Sequence, residues 1–202
     1  PSTNPVATME IPAKPEVHRP LSILRRHMVS RGYQEAITYS MVEPELLAKF
    51  DDQNKPVELI NPISTDMAVM RTSLWPGLVK ALQHNQNRQQ PRVRLFETGQ
   101  RFIPSEQGLQ QQDVFAGLIY GSRHPESWHG KAEQVDYFDV KGDLESLLSL
   151  SGQNFSFEAT GHLALQPGQS AAIKVGEIIV GYIGAMHPGL VKDLDLAGPV
   201  FM

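Results

Sequence analysis

Cysteine is absent from the 202 residues. That excludes disulfides and cysteine-ligated metals, and it agrees with a reducing, cytoplasmic setting. No apolar run is long enough to cross a bilayer and no secretory signal opens the chain, so no membrane contact is expected. Basic charge is not in excess: Lys and Arg total 18 against 22 Asp and Glu, a formal net charge of -4. That balance argues against a chain that grips nucleic acid by bulk charge. Aromatic residues are only 7% and do not interleave with the basic ones as base-stacking platforms would. A phosphate-cradling loop is also missing. GYIGAMHPG at 181–189 lacks the lysine and the strand–loop–helix setting that such a loop needs.

What is present suits a globular fold: 41% hydrophobic and 20% charged residues can build a sizeable core. Residues 1–16, with Pro1, Pro5, Pro12 and Pro15, read as an extended linker from a preceding domain, which leaves 17–202 as the folded unit. The chain opens without methionine and closes on the apolar Val200-Phe201-Met202, which reads as a piece of something longer. Pro20 and the helical spacing of Leu21, Leu24 and Met28 predict a helix closed by Gly32. Strands are expected at 33–42, 57–61, 92–104 (as a pair or one bent strand) and 113–121. The apolar 113–121 run should be central. Pro44 opens a short helix, and Ser73 caps or nearly caps one carrying Leu74, Leu78 and Leu82, with Val79 beside them. A helix over 140–152 ends at Gly152, and three strands follow, with Val175-Gly176-Glu177 as a hairpin turn. Many strands joined by short turns favour antiparallel pairing. The fold class is α+β, a mostly antiparallel sheet flanked by helices.

No catalytic constellation stands out. His124, His129, Asp136 and Asp139 match no ligand spacing and read as a polar loop with Trp128 as an anchor, so no metal site is assigned. Asp51 and Asp52 read as acids solvating a turn. His27 and His187 read as structural histidines. Between Met67 and Phe96 there is no acid, yet Arg71, Lys80, Arg88, Arg92 and Arg94 all fall there; Arg25, Arg26 and Arg31 form a second cluster. Of these, Arg25, Arg26, Arg88 and Arg92 are the candidates for phosphate contacts or, with more weight, ion pairs in a protein interface.

Six blocks in order then carry a resemblance: NPIS at 61–64, MRTSLWPGLVKAL at 70–82, the pair Asn85 and Arg88, LFETGQRF at 95–102, FDVKGDLESLL at 138–148 and IGAMHP at 183–188. Together they resemble the catalytic-like domain of bacterial phenylalanyl-tRNA synthetase beta subunits, over about residues 17–202. The resemblance implies a class II aminoacyl-tRNA synthetase-like core, with the first helix and the strand after Gly32 where the interface-building motif 1 would lie. It also implies that the chemistry belongs to the sister alpha subunit. The arginine and the return-strand glutamine and glutamate of that subunit's motif 2 fall here on Ile103, Val114 and Ala116. The histidine of its R-T-H-T-S segment is missing from Arg71-Thr72-Ser73-Leu74, and no Glu-Arg follows His187-Pro188.

The resemblance therefore implies no catalytic residue and no cofactor in this chain. ATP and magnesium serve the whole enzyme, whose partners are the alpha subunit, in a heterotetramer of two alpha and two beta chains, and tRNA(Phe). Leu21, Leu24, Met28, Tyr33 and Arg71 are the candidates for the subunit interface. A free-standing class II-like ligase and a tRNA-binding module are the alternatives. Leu95, Ile103 and Ala116 weigh against the first; the net charge weighs against the second.

Overall fold

The computed structural model describes residues 20–106, 108–128 and 133–202. The expected linker over 1–16 lies outside the described residues. Helix α1 (Leu21–Ser30) follows Pro20, whose extended ψ of 141° places it just outside the helix. It ends as the sequence suggests. Gly32 turns into the left-handed region at φ +81°, while Gly32 N–H donates to Val29 O and Tyr33 N–H to Met28 O. Those two bonds satisfy carbonyls that the helix end would otherwise leave bare.

The expected strand over 33–42 breaks into β1 (Gln34–Glu35) and β2 (Met41–Val42). Between them the Thr38 side chain and amide bond Glu97, which pulls the chain off a straight path. β2 then pairs with β3 (Val69–Met70) in a small separate sheet. Helix α2 (Pro44–Ala48) starts at its proline, as expected. Residues 57–61 are not a strand: Glu58 makes one bridge to Val69, and the prolines at 56 and 62 supply no N–H to extend a ladder. Helix α3 (Trp75–Gln86) has Leu74 at its cap, but Ser73 Oγ accepts from Trp75 N–H, so the cap falls one residue from Ser73.

β4 (Arg92–Ser105) and β5 (Gly108–Gly121) form one long antiparallel hairpin, so 92–104 is a single strand. Helix α4 (Tyr137–Leu148) begins earlier than the apolar spacing suggests because Asp136 and Asp139 form a reciprocal capping box. It ends in a short 3₁₀ turn before Gly152 at φ +72°. β6 (Ser156–Ala159), β7 (Leu165–Val175) and β8 (Ile178–Met186) make a meander, with Gly176 at φ +59° in the turn. Helix α5 (Pro188–Asp193) and β9 (Val200–Phe201) complete the order.

The main sheet runs β1-β4-β5-β9-β8-β7-β6, antiparallel except for β1 against β4. Period-two alternation gives each face its own core. On one side Leu78, Val79 and Leu82 of α3 pack on Val93, Leu95, Leu118, Leu165 and Val200. On the other, Met28 of α1 and Val140 and Leu147 of α4 pack on Phe96, Ile119, Ile173, Ile183 and Phe201. Leu78 and Leu82 are fully buried; truncating either to Ala removes about 2–5 kcal/mol in sites of this kind. The strand predicted to be central, 113–121, is indeed an interior strand.

Asp136→Ala removes the α4 cap. Stability falls by about 1 kcal/mol, read as a lower urea midpoint with an unchanged slope.

Candidate functional site

A concavity of about 1540 Å³ lies between α1, α4, the Thr72–Trp75 segment and the facing edges of β5 and β8. The acids lining it and Arg101 are engaged within the chain. Arg101 Nε donates to Gln112 Oε1 at 2.9 Å, and Asp113 accepts from Gln100 at 3.2 Å. Asp51 accepts from the amides of Gln53 and Asn54, and Asp52 from the Gln53 side chain; these acids fold a turn, as expected. Asp143 is gripped by Arg94 at 2.9 Å, Arg31 at 3.3 Å and the Tyr33 hydroxyl at 2.9 Å. Burial, reinforced by Asp143, pushes the Tyr33 phenol above its ordinary range, so it stays a neutral donor. The Arg94 guanidinium also lies over the Tyr33 ring, 5.5 Å from its centre.

The opposite wall holds an aromatic stack. Trp75 meets His162 edge-on at 5.2 Å, and His162 meets Tyr182 at 4.7 Å. Burial lowers the His162 pKa from its ordinary 6.5, opposed by Asp51 and Asp52. Its Nδ1 accepts from the Ala164 amide, which suits the neutral ring.

Arg71 lies behind the lining, next to Thr72. It is 4% exposed and its Nη1 lies 2.8 Å from Glu97 Oε1; Glu97 is 2% exposed. Nε donates to Gln100 O and Nη1 to Thr38 Oγ1, while Thr38 donates its amide and hydroxyl to Glu97. Two glycines make the space. A Cβ on Gly99 would sit 2.5 Å from Arg71 Nη2, and one on Gly77 would sit 2.2 Å from Thr38 Oγ1. The arginine that opens α3 is therefore an internal clamp on the sheet.

The other candidates separate. Met28 and Tyr33, expected at a subunit interface, are 3% exposed and belong to the chain's own core. The reason is local: Met28 lies on the α1 face turned to the sheet, and Tyr33 is drawn inward by Asp143. Arg71 is likewise internal. Leu24 is half-buried against the same core, whereas Leu21 is 47% exposed and its neighbour Val29 56%. Arg25 pairs with Glu35 at 2.8 Å and bonds Thr98; exposed Arg26 and Arg88 reach only the carbonyls of Ser22 and His84. Arg92 donates to Ser122 O, its pKa lowered by burial and then by Arg94. Ion pairing thus describes Arg25, within the chain.

His124 is exposed, His129 lies outside the described residues, and Asp136 and Asp139 cap α4 while pairing with Arg123. His27 bonds Ser146 at 3.0 Å and His187 caps α5; both have structural partners, although His187 is exposed. Glu97 and Asp143 were missed as organising acids. The only signal in the sequence was their placement, one in a strand among apolar residues and one on the inner face of a helix.

The residues do not fit ATP and magnesium in this cleft. Ile103, Val114 and Ala116 bring no charge to the β4–β5 positions where motif 2 would act. The buried lining atom without a hydrogen-bond partner, Thr72 Oγ1, is a neutral hydroxyl.

The architecture is that of a class II aminoacyl-tRNA synthetase core. A pyrrolysyl tRNA synthetase structure from Desulfitobacterium hafniense superposes with a TM-score of 0.62 at 14% identity, over 90% of this chain and 62% of that one. At that identity the likeness speaks for the fold alone. Sequence comparison goes further. Residues 1–202 match the family profile described as the phenylalanyl tRNA synthetase beta chain CLM domain, and the chain belongs to that family. The phenylalanine–tRNA ligase beta subunit of Pseudomonas putida is 55% identical over 98% of this chain, and that of Hahella chejuensis 47% over 100%. The chain spans about a quarter of those relatives, 25% and 26%.

Arg71→Ala leaves Glu97 buried and unpaired, and stability falls by about 3–5 kcal/mol. Arg71→Met with Glu97→Leu recovers part of that loss, and the coupling is read by a double-mutant cycle in urea. His162 gives a pH effect. Its folded pKa lies below 6.5, so the unfolded chain takes up the proton first and stability drops as pH falls below about 6.5. His162→Gln should flatten that part of the stability–pH curve.

Proposed function

We propose that this domain is a catalytically silent, class II-like core of a phenylalanine–tRNA ligase beta subunit. Its task is to pack against an alpha subunit that carries the ATP- and magnesium-dependent charging of tRNA(Phe), within a cytoplasmic assembly of two alpha and two beta chains. One observation carries the reading. Arg71, the residue before the cleft-lining Thr72, is spent on an internal ion pair with Glu97 rather than facing the cleft. Preorganised donors are the usual source of transition-state stabilisation; here they hold the fold. The family membership and the names of the relatives support the assignment to the ligase.

Docking then draws on what α1 leaves outside. Leu21 and Val29 are exposed apolar side chains on a helix whose inner face is already occupied. These two side chains are the candidates on α1 for contact with a partner.

Two outcomes are expected. The purified chain alone gives no phenylalanine-dependent exchange of pyrophosphate into ATP; measurable exchange would sink the silent assignment. Mixed with purified alpha subunit, it forms a complex on sizing chromatography with light scattering. Leu21→Glu with Val29→Glu weakens that complex about tenfold or more and leaves the unfolding free energy in urea within about 0.5 kcal/mol of the parent. An unchanged complex would move the docking face off α1.

A further inference from the structure

A smaller hollow of about 260 Å³ lies beyond Asp143, the residue it shares with the cleft. Four arginines line it, Arg31, Arg92, Arg94 and Arg123, together with two acids, Asp139 and Asp143. The sequence brings them in from four places. Arg92 and Arg94 are two apart on β4, so both point to the face that carries Phe96. Arg31 is the C-cap residue of α1. Asp139 and Asp143 are four apart on α4 and share one side of that helix. Arg123 follows the end of β5.

Charge is unevenly matched around this hollow. Arg123 has acids on every side: Asp139 and Glu133 at 2.9 Å and Asp136 at 3.2 Å. Asp139 also accepts from the Asp136 amide, so its charge is spent on that arginine and on the α4 cap. Arg31, Arg92 and Arg94 are left with one carboxylate. Asp143 gives one oxygen to Arg94 at 2.9 Å and the other to Arg31 at 3.3 Å, and it also accepts from the Tyr33 hydroxyl. Arg92 has no acid. Its Nε donates to Ser122 O, and among the described residues neither of its Nη groups has an acceptor. The Nε groups of Arg31 and Arg94 are buried without an acceptor as well. The Arg94 side chain is only 8% exposed, so water screens the repulsion among these cations little. Burial and Arg94 together lower the Arg92 pKa, which is the same repulsion seen from Arg92.

We infer that the hollow binds a phosphate dianion, free or as the end of a phosphate monoester, between Arg92, Arg31 and Arg94. The charge carries the choice. Three guanidiniums against one carboxylate leave two positive charges, which one phosphate cancels near neutral pH. A carboxylate would cancel only half of that excess. Geometry agrees, because a guanidinium presents paired donors that suit phosphate oxygens, and Arg92 has such a pair unspent. The volume has room for one phosphate group and some of its waters. Occupancy ties the end of α1 to β4 and α4, and so stabilises the folded chain by mass action.

Titration calorimetry of the purified protein with sodium phosphate, at constant ionic strength, tests this. One saturable site is expected, with no binding of chloride or acetate. Arg92→Met is expected to weaken phosphate about tenfold or more. Arg92→Lys, which keeps the charge and loses the fork, recovers part of that affinity. Glycerol phosphate separates the two sources: affinity equal to that of phosphate marks a monoester as the occupant, and no affinity marks the free ion. A second measurement needs no variant. With the arginine side chains isotope-labelled, phosphate is expected to shift the Nε resonances of Arg31, Arg92 and Arg94 in the parent protein. Absence of saturable binding overturns the inference. So does acetate binding as tightly as phosphate, which would assign the hollow to a carboxylate. Displacement of phosphate by a single-stranded RNA without a terminal phosphate would assign it to a nucleic-acid backbone instead. Affinity unchanged in Arg92→Met, or shifts confined to other arginines, would place the anion elsewhere and overturn the site.

Discussion

A guanidinium taken out of water must be matched on every side, and the Arg71–Glu97 pair shows how much structure that demand recruits. Thr38 supplies an amide and a hydroxyl, Gln100 a carbonyl, and Gly77 and Gly99 the space. Through these contacts one ion pair fixes the segment after β1, the mouth of α3 and the middle of β4 relative to one another. The break between β1 and β2 follows from it, as does the approach of α3 to the sheet. A buried pair of this kind is weak evidence for stability in itself, because desolvation offsets much of the attraction. Its effect is positional: three segments far apart in sequence are held in one arrangement, because any other leaves a charge unmatched.

The Tyr33–Asp143–Arg94 network repeats the logic on the opposite face of the sheet, with Arg31 as a second cation. Between them the two networks engage Arg71, Arg94 and Arg31, while Arg101 on the cleft bonds Gln112. The same fold that can serve as a synthetase site is here closed around its own acids, which agrees with a domain whose work is done at its surface.

Much of this was legible in the sequence. Periodicity and punctuation found α1 to α4, the long 113–121 strand and the turn at Gly176, because each is specified locally by glycine, proline or a run of one pattern, but missed the short α5. Family blocks found the fold. What failed was whatever depends on a distant partner. Residues 57–61 have strand composition but only a single bridge, and 33–42 is split by a carboxylate more than fifty residues away. Met28 and Tyr33 read as surface because helical spacing shows which residues share a face, not which way that face is turned. Arg71 read as holding a loop or a carboxylate, with the partner chain as one place for it, and the carboxylate is within this chain. Its partner is Glu97, in the same sheet it clamps.

The seam at β9 has a mechanical consequence. The β4–β5 hairpin and the β6–β8 meander are each continuous ladders built from neighbouring segments, while β9 joins them through two residue pairs on one side and one pair with its flanking bonds on the other. The relative placement of the two ladders is therefore set, on the hydrogen-bonding side, by the three residues Val200 to Met202.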